Sequence, residues 1–139
     1  MSKLLQFLKG VYFFRDLSDQ EVALIGDLCR ESSYEEGQIV FHEGDRPDRF
    51  FIVIEGEVEI WKDFGREASG GGELLAVRGP GHLFGEMALV DDLPRSATVR
   101  ARGPARLLHI ERDPFHRIIH QNSSIAISVL KSISLMVRR

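Results

Sequence analysis

Between residues 35 and 111 the chain changes character every few residues. β-rich runs stop at glycine or proline and start again. EEGQIVFHEGDRPDR is punctuated by Gly37, Gly44 and Pro47 around QIVFH; FFIVIEGEVEIW meets Gly56; ELLAVR, GPGHLFGEMAL and SATVRARGPARLLHIE follow, the last broken at Gly103-Pro104. Glycine reaches positive φ at no steric cost and proline cannot donate to a sheet ladder, so each marks a turn or a bend. A parallel sheet needs a crossover of about a dozen residues or more between strands, and the short intervals leave no room for a series of them. Short strands at this spacing predict an antiparallel roll or sandwich. FFIVIEGEVEIW reads as two runs paired about Gly56, with Glu57-Val58-Glu59-Ile60 alternating as a half-buried strand does. Ser69 to Gly72 reads as a hairpin loop.

Helices are expected on both sides of this block. In residues 1 to 34, Ser18 opens S-D-Q-E, a capping box with Glu21, and Val22, Ile25, Leu28 and Cys29 follow at helical spacing. Beyond 111, Asp113-Pro114 is a start signal, a capping acid before proline at the first helical position. Phe115, Ile118 and Ile119 give that helix an apolar side. A second helix is expected to begin between Asn122 and Ser124, with Ala126, Val129, Leu130, Ile133, Met136 and Val137 forming a seam that packs on the domain or on a second copy.

The 139 residues suffice for one domain with its own core, divided as 1–34, 35–111 and 112–139. With 43% hydrophobic and 28% charged residues the composition is that of a globular protein. A net charge of −3 shows no basic face for nucleic acid, Lys131, Arg138 and Arg139 being ordinary helix charges. One cysteine, Cys29, excludes an internal disulfide framework and a cysteine-built metal site. No apolar run approaches the roughly 20 residues of a membrane span, and the lysine-interrupted start lacks a signal-peptide pattern. A cytoplasmic location is expected.

Residues 84 to 99, FGEMALVDDLPRSATV, bracket one carboxylate and one guanidinium with small side chains. Gly85-Glu86-Met87-Ala88-Leu89 is long enough for one helical turn. The first amides of such a turn have no backbone partner and favour an anion, and Gly85 and Ala88 leave room for it. Arg95 adds a planar fork suited to two phosphate oxygens. Glu86, an acceptor-only group, would repel phosphate but suits a sugar hydroxyl. A ligand with one phosphate and one ribose hydroxyl accounts for both charges; a Glu86–Arg95 ion pair across the turn is the plainer alternative.

The stretch closely resembles the phosphate-binding cassette of the cyclic nucleotide-binding domains, the family of the bacterial catabolite activators and the protein kinase A regulatory subunits. Phe84, Gly85, Glu86, Ala88, Leu89, Pro94, Arg95, Ser96, Ala97 and Thr98 match its pattern. EEGQIVFHEGD, FFIVIEGEVEIW and IERDPFHRII resemble its β-roll and hinge helix. The resemblance implies a mainly β fold, an antiparallel, jelly-roll-like β-roll with helices at both ends. It implies a cassette over 84–98 in which Glu86 accepts from the ribose 2′-hydroxyl. Arg95 would hold the cyclic phosphate with the amides near Ala88 and with Ser96, and Phe84, Gly85, Met87 and Ala97 would surround it. Ile60, Leu75 and Ala76 match positions lining the base pocket, and a base-covering lid would fall around Met136 and beyond. The ligand would be cyclic AMP or cyclic GMP, with serine after the arginine, as in the bacterial activators, leaning to cyclic AMP. No other cofactor is expected.

No catalytic signature accompanies these residues. His116 and His120 stand at i and i+4, but Arg117 occupies the place where a metalloprotease helix needs glutamate. The close His-x-His pair of metal-holding β-rolls is missing, as are a nucleophile elbow and a dinucleotide fingerprint. The expected role is therefore a non-enzymatic sensor with no nucleic-acid or membrane contact. It would dimerise through the 123–139 helix and relay ligand binding to an effector domain or partner outside this chain. The rival reading is a nucleotide-independent dimerisation module of the same fold.

Overall fold

A computed structural model describes residues 2–138. The N-terminal part is helical: α1 (Lys3–Lys9), a 3₁₀ turn at Tyr12–Phe14, and α2 (Asp19–Gly26). The capping box at the start of α2 forms as expected, Ser18 accepting from the Glu21 amide while Glu21 accepts from the Ser18 amide. Gly26 lets α1 sit close, since a β-carbon there would lie 2.9 Å from Leu5 Cδ2.

Six strands follow: β1 (Arg30–Tyr34), β2 (Ile39–Phe41), β3 (Arg49–Lys62), β4 (Glu73–Arg78), β5 (Leu83–Phe84) and β6 (Thr98–Glu111). All pairings are antiparallel, in the order β1-β6-β3-β4, with β2 on β6 and β5 on β3. The sheet begins before residue 35: Arg30–Tyr34 lies inside the stretch read as helical. RESSY carries no strong local strand signal, and pairing with residues 105–109 of β6 makes it a strand.

FFIVIEGEVEIW is one strand, not a pair of runs folded on each other. β3 pairs with β6 from Arg49↔Glu111 to Trp61↔Thr98, with register shifts around Glu55. Both strands bend at glycines of positive φ, Gly56 at +79° and Gly103 at +76°. A β-carbon at Gly56 would lie 2.3 Å from the Pro104 carbonyl, so only glycine permits this crossing. The two halves of each long strand thus belong to two faces of a roll. β1 and β5 pair with one half, β2 and β4 with the other.

The apolar run in β3 serves two cores. Phe50 and Ile52 pack with Leu108, Ile110 and the helices, around Leu8, Phe14, Ile25, Phe115 and Ile125. Phe51 and Val53 face the roll interior with Phe84, Val99 and Leu107. Both faces are covered, which is why this segment does not alternate. The alternation expected over Glu57-Val58-Glu59-Ile60 breaks at Glu59. This residue is 8% exposed, paired with Arg100 at 2.9 Å and accepting from Trp61 Nε1 at 3.0 Å.

The C-terminal helices are α3 (Arg112–Gln121) and α4 (Ser123–Arg138). α3 starts at Arg112, earlier than Asp113-Pro114 indicated, with Glu111 as N-cap and no side-chain cap. The Arg112 amide donates to the Asp48 carbonyl at 3.0 Å, and Pro114 still falls in the first turn, where amides lack intrahelical partners. α4 buries Ile125, Ser128, Val129 and Ser132. The two serines admit the Tyr12–Phe14 turn, Ser132 Oγ donating to the Phe13 carbonyl at 3.4 Å. Leu130, expected in the seam, is exposed; Met136 and Val137, and Arg138 and Arg139 of the basic cluster, lie outside the residues whose side chains are described. The expected lid from Met136 onward falls there too.

Candidate functional site

The cassette turn is short and tight. Gly85 adopts φ +71° as the N-cap of a 3₁₀ turn over Glu86–Leu89, entered from β5. It borders a cavity of about 340 Å³. Phe84, Gly85, Glu86, Met87, Ala88, Arg95, Ser96, Ala97 and Ile60, all anticipated from sequence, line it. Phe84 is fixed by stacking on Phe51, ring centroids 5.0 Å apart. Ser96 and Met87 are exposed at the rim. Leu75 and Ala76 lie outside the lining. Leu75 is exposed on β4, and Ala76, half-buried, pairs with Ile60 without joining the lining.

Arg95 is held by the β2–β3 loop. Its amide donates to the Asp45 carbonyl at 2.8 Å, and its carbonyl accepts from Gly44 at 2.8 Å. Thr98 Oγ1 accepts from the Glu43 amide at 2.9 Å, and Lys62 Nζ reaches both Glu43 (2.8 Å) and the Ser96 carbonyl (3.2 Å). The guanidinium, 8% exposed as a residue, lies over the Phe41 ring at 4.1 Å. Nη1 donates to the Gly85 carbonyl at 3.1 Å and Nη2 to the Arg49 carbonyl at 2.5 Å. Nε is buried with no hydrogen-bond partner among the described residues. A buried, unmatched donor on a cation is costly, and such a group in a cavity wall calls for an acceptor.

The plainer alternative, a Glu86–Arg95 ion pair, does not form; the carboxylate within ion-pair distance of Arg95 is Asp48, at 3.8 Å. Burial pushes the Glu86 carboxyl above the usual range, opposed by its own amide and by Arg78 and Arg95. Burial also lowers the Arg95 pKa, against the pull of Asp48. The amide of Ala88, expected to face an anion, donates to the Gly85 carbonyl at 3.3 Å. The 3₁₀ geometry uses it where an α-turn would have left it free.

The turn is tied to the C-terminal helices. Leu89 is buried among Phe115, Ile125 and Val129. His116 Nε2 lies 2.9 Å from the Leu89 carbonyl, and Arg112 pairs with Asp92 just beyond. His116 is thus a strut rather than half of a metal pair. Among the described residues no group of three or more metal-ligating side chains converges, and no helix is long and apolar enough to cross a membrane. Sequence reasoning missed Phe41, Asp48, Glu43 and Arg78 at or behind the site. The HEGD motif of the β2–β3 loop was the available signal for the loop residues, but their partners lie far along the chain.

The model of the cyclic nucleotide-binding domain matches residues 31–122. The chain belongs to that family. A cAMP-dependent protein kinase regulatory subunit from Mycosarcoma maydis is 39% identical over 98 residues, 70% of this chain and 18% of the relative. The regulatory domain of Toxoplasma gondii PKA, solved with cAMP, superposes with a TM-score of 0.79 at 29% identity, covering 94% of this chain and 48% of that one. The catabolite activator protein of Thermus thermophilus gives the same TM-score and identity over 91% of this chain and 58% of its own. The cyclic nucleotide-binding domain described here spans about a third or less of the curated relatives it matches.

Proposed function

We propose that the chain is a non-enzymatic regulatory module that senses a 3′,5′-cyclic purine nucleotide. Arg95 carries the reading: a guanidinium sequestered in the wall of a cavity that also holds Glu86, with one donor unmatched by the protein. The cyclic phosphate takes Arg95, the ribose 2′-hydroxyl donates to Glu86, and the base extends toward Ile60 and β4. Ser96, at the rim, reaches a phosphate oxygen or the base. Phosphate on Arg95 competes with its bonds to Gly85 and Arg49, and so displaces the turn. Leu89 and His116 pass that displacement to α3 and α4. Ligand biases the helices only by favouring one of their positions. Ile127 and Leu130, 52% and 62% exposed on α4, support a homodimer through that helix, with an effector domain or partner reading its position.

Calorimetric titration with cyclic AMP and cyclic GMP tests the proposal, using parent and Arg95→Ala after unfolding and refolding to strip carried-over ligand. Binding by the parent that is lost in the variant is expected. A refolded parent that melts cooperatively yet binds neither nucleotide overturns it in favour of a nucleotide-independent dimerisation module.

A further inference from the structure

A second guanidinium lines the same cavity. Arg78 ends β4 opposite Val58 and borders the space shared by Glu86 and Arg95. It is half-buried, and among the described residues it has one hydrogen bond, from Nη1 to the Val77 carbonyl at 3.3 Å. Among the described residues no carboxylate lies within ion-pair distance of it, although Glu86 feels its charge ahead of that of Arg95. Most of the five donors of this fork are therefore unmatched. Arg95 shares Glu86 with it but has Asp48 and Asp45 as further attractive charges.

A nucleotide with its phosphate on Arg95 and its ribose on Glu86 has one part left to meet Arg78, the base. Guanine offers two adjacent acceptors, O6 and N7, spaced for the arginine fork; adenine puts an amino donor in place of O6, where a cation gains nothing. We infer that Arg78 is a specificity-determining residue that reads the O6/N7 edge of the purine and turns this site toward cyclic GMP. The inference rests on the cyclic-nucleotide reading above. It reverses the lean to cyclic AMP that Ser96 gave, because Ser96 is exposed at the rim while Arg78 stands in the cavity wall.

Competition titrations of the refolded full chain with cyclic AMP, cyclic GMP and cyclic IMP, on the parent and on Arg78→Leu, test it. Cyclic IMP carries O6 and N7 without the 2-amino group. The parent is expected to bind cyclic GMP and cyclic IMP roughly tenfold more tightly than cyclic AMP, the effect of one good bidentate contact. In Arg78→Leu the three should converge. A parent that prefers cyclic AMP, or an unchanged preference in Arg78→Leu, overturns the role of Arg78 while leaving the sensor reading intact. So does a parent that favours cyclic GMP but not cyclic IMP, since the 2-amino group would then be what is read. Loss of binding to all three overturns both. The cyclic IMP comparison needs only the parent, so a poorly folding variant does not remove the test.

Discussion

The Arg95 guanidinium lies against the bare α-carbon of Gly85: a β-carbon there would come within 2.8 Å of Nη1, while Nη1 donates to the Gly85 carbonyl at 3.1 Å. The glycine is thus required twice, for its φ of +71° and for the closeness of the cation. Gly85→Ala is expected to cost about 1–2 kcal/mol from the left-handed backbone alone, and to weaken cyclic nucleotide binding by displacing Arg95. Thermal melts and titration of the same variant check both effects; wild-type affinity would show that Arg95 can act from elsewhere.

Truncating the two charged residues should weaken binding unequally. Removing one partner of a desolvated charge pair costs roughly 2–5 kcal/mol, whereas a hydrogen bond to a charged group is worth about 1.5–3 kcal/mol. Arg95→Ala is therefore expected to lose more affinity than Glu86→Ala, by calorimetry at one salt concentration. The reverse order would place the sugar, not the phosphate, as the dominant contact.

Glu86 should trade stability against binding. Burial raises its pKa, so the folded state holds a proton more tightly than the unfolded chain. Ionisation above the raised pKa therefore costs stability, and that cost is relieved as pH falls through it. Glu86→Gln is expected to melt slightly higher than the parent at neutral pH while binding nucleotide more weakly. A lower melting temperature would mean that the carboxylate is doing structural work in the turn.

Glu59 has the opposite sign. Burial would raise its pKa, but hydrogen bonds from Trp61 and Arg100 and the charges of Arg100 and Arg102 outweigh this and hold it below the ordinary value. Its contribution is present above the unfolded carboxylate pKa and is lost as pH falls through the lower folded one. Glu59→Gln should flatten the acid side of a stability–pH profile from urea melts; a parallel profile would assign acid sensitivity to other groups.

His116→Leu keeps the helix face apolar but removes the bond to the Leu89 carbonyl. Nucleotide affinity is expected to stay within a few-fold, while the nucleotide-dependent change in hydrogen exchange over α3 and α4 shrinks. An undiminished response would leave the relay to Leu89 packing alone.

What could be read from the sequence was local. The box at Ser18, β4 from Glu73 to Arg78 and the turn at Gly85 each carry their cause within a few neighbouring residues. Where the cause is distant, the reading failed. RESSY becomes a strand only because β6 lies beside it, Arg112 begins α3 because of Asp48, and Glu59 is buried because Arg100 arrives from another strand. At the site the same division holds. Glu86 and Arg95 stand out in FGEMALVDDLPRSATV, but the loop residues that fix Arg95, and Arg78 across the cavity, are brought there by the roll. Leu75 was misplaced for a related reason, since which face of an edge strand turns inward depends on its register with β3.

The continuous pairing of β3 with β6 sets how this domain must be assembled. Arg49 meets Glu111 and Trp61 meets Thr98 only after the intervening loop, β4 and the entire cassette have been synthesised and drawn in. Closing such loops is paid in chain entropy before any contact rewards it, so folding should be slow for a chain of this size, with the helices forming ahead of the roll. The ligand cavity is then among the last features to appear, and a nascent chain cannot respond to nucleotide until β6 has docked.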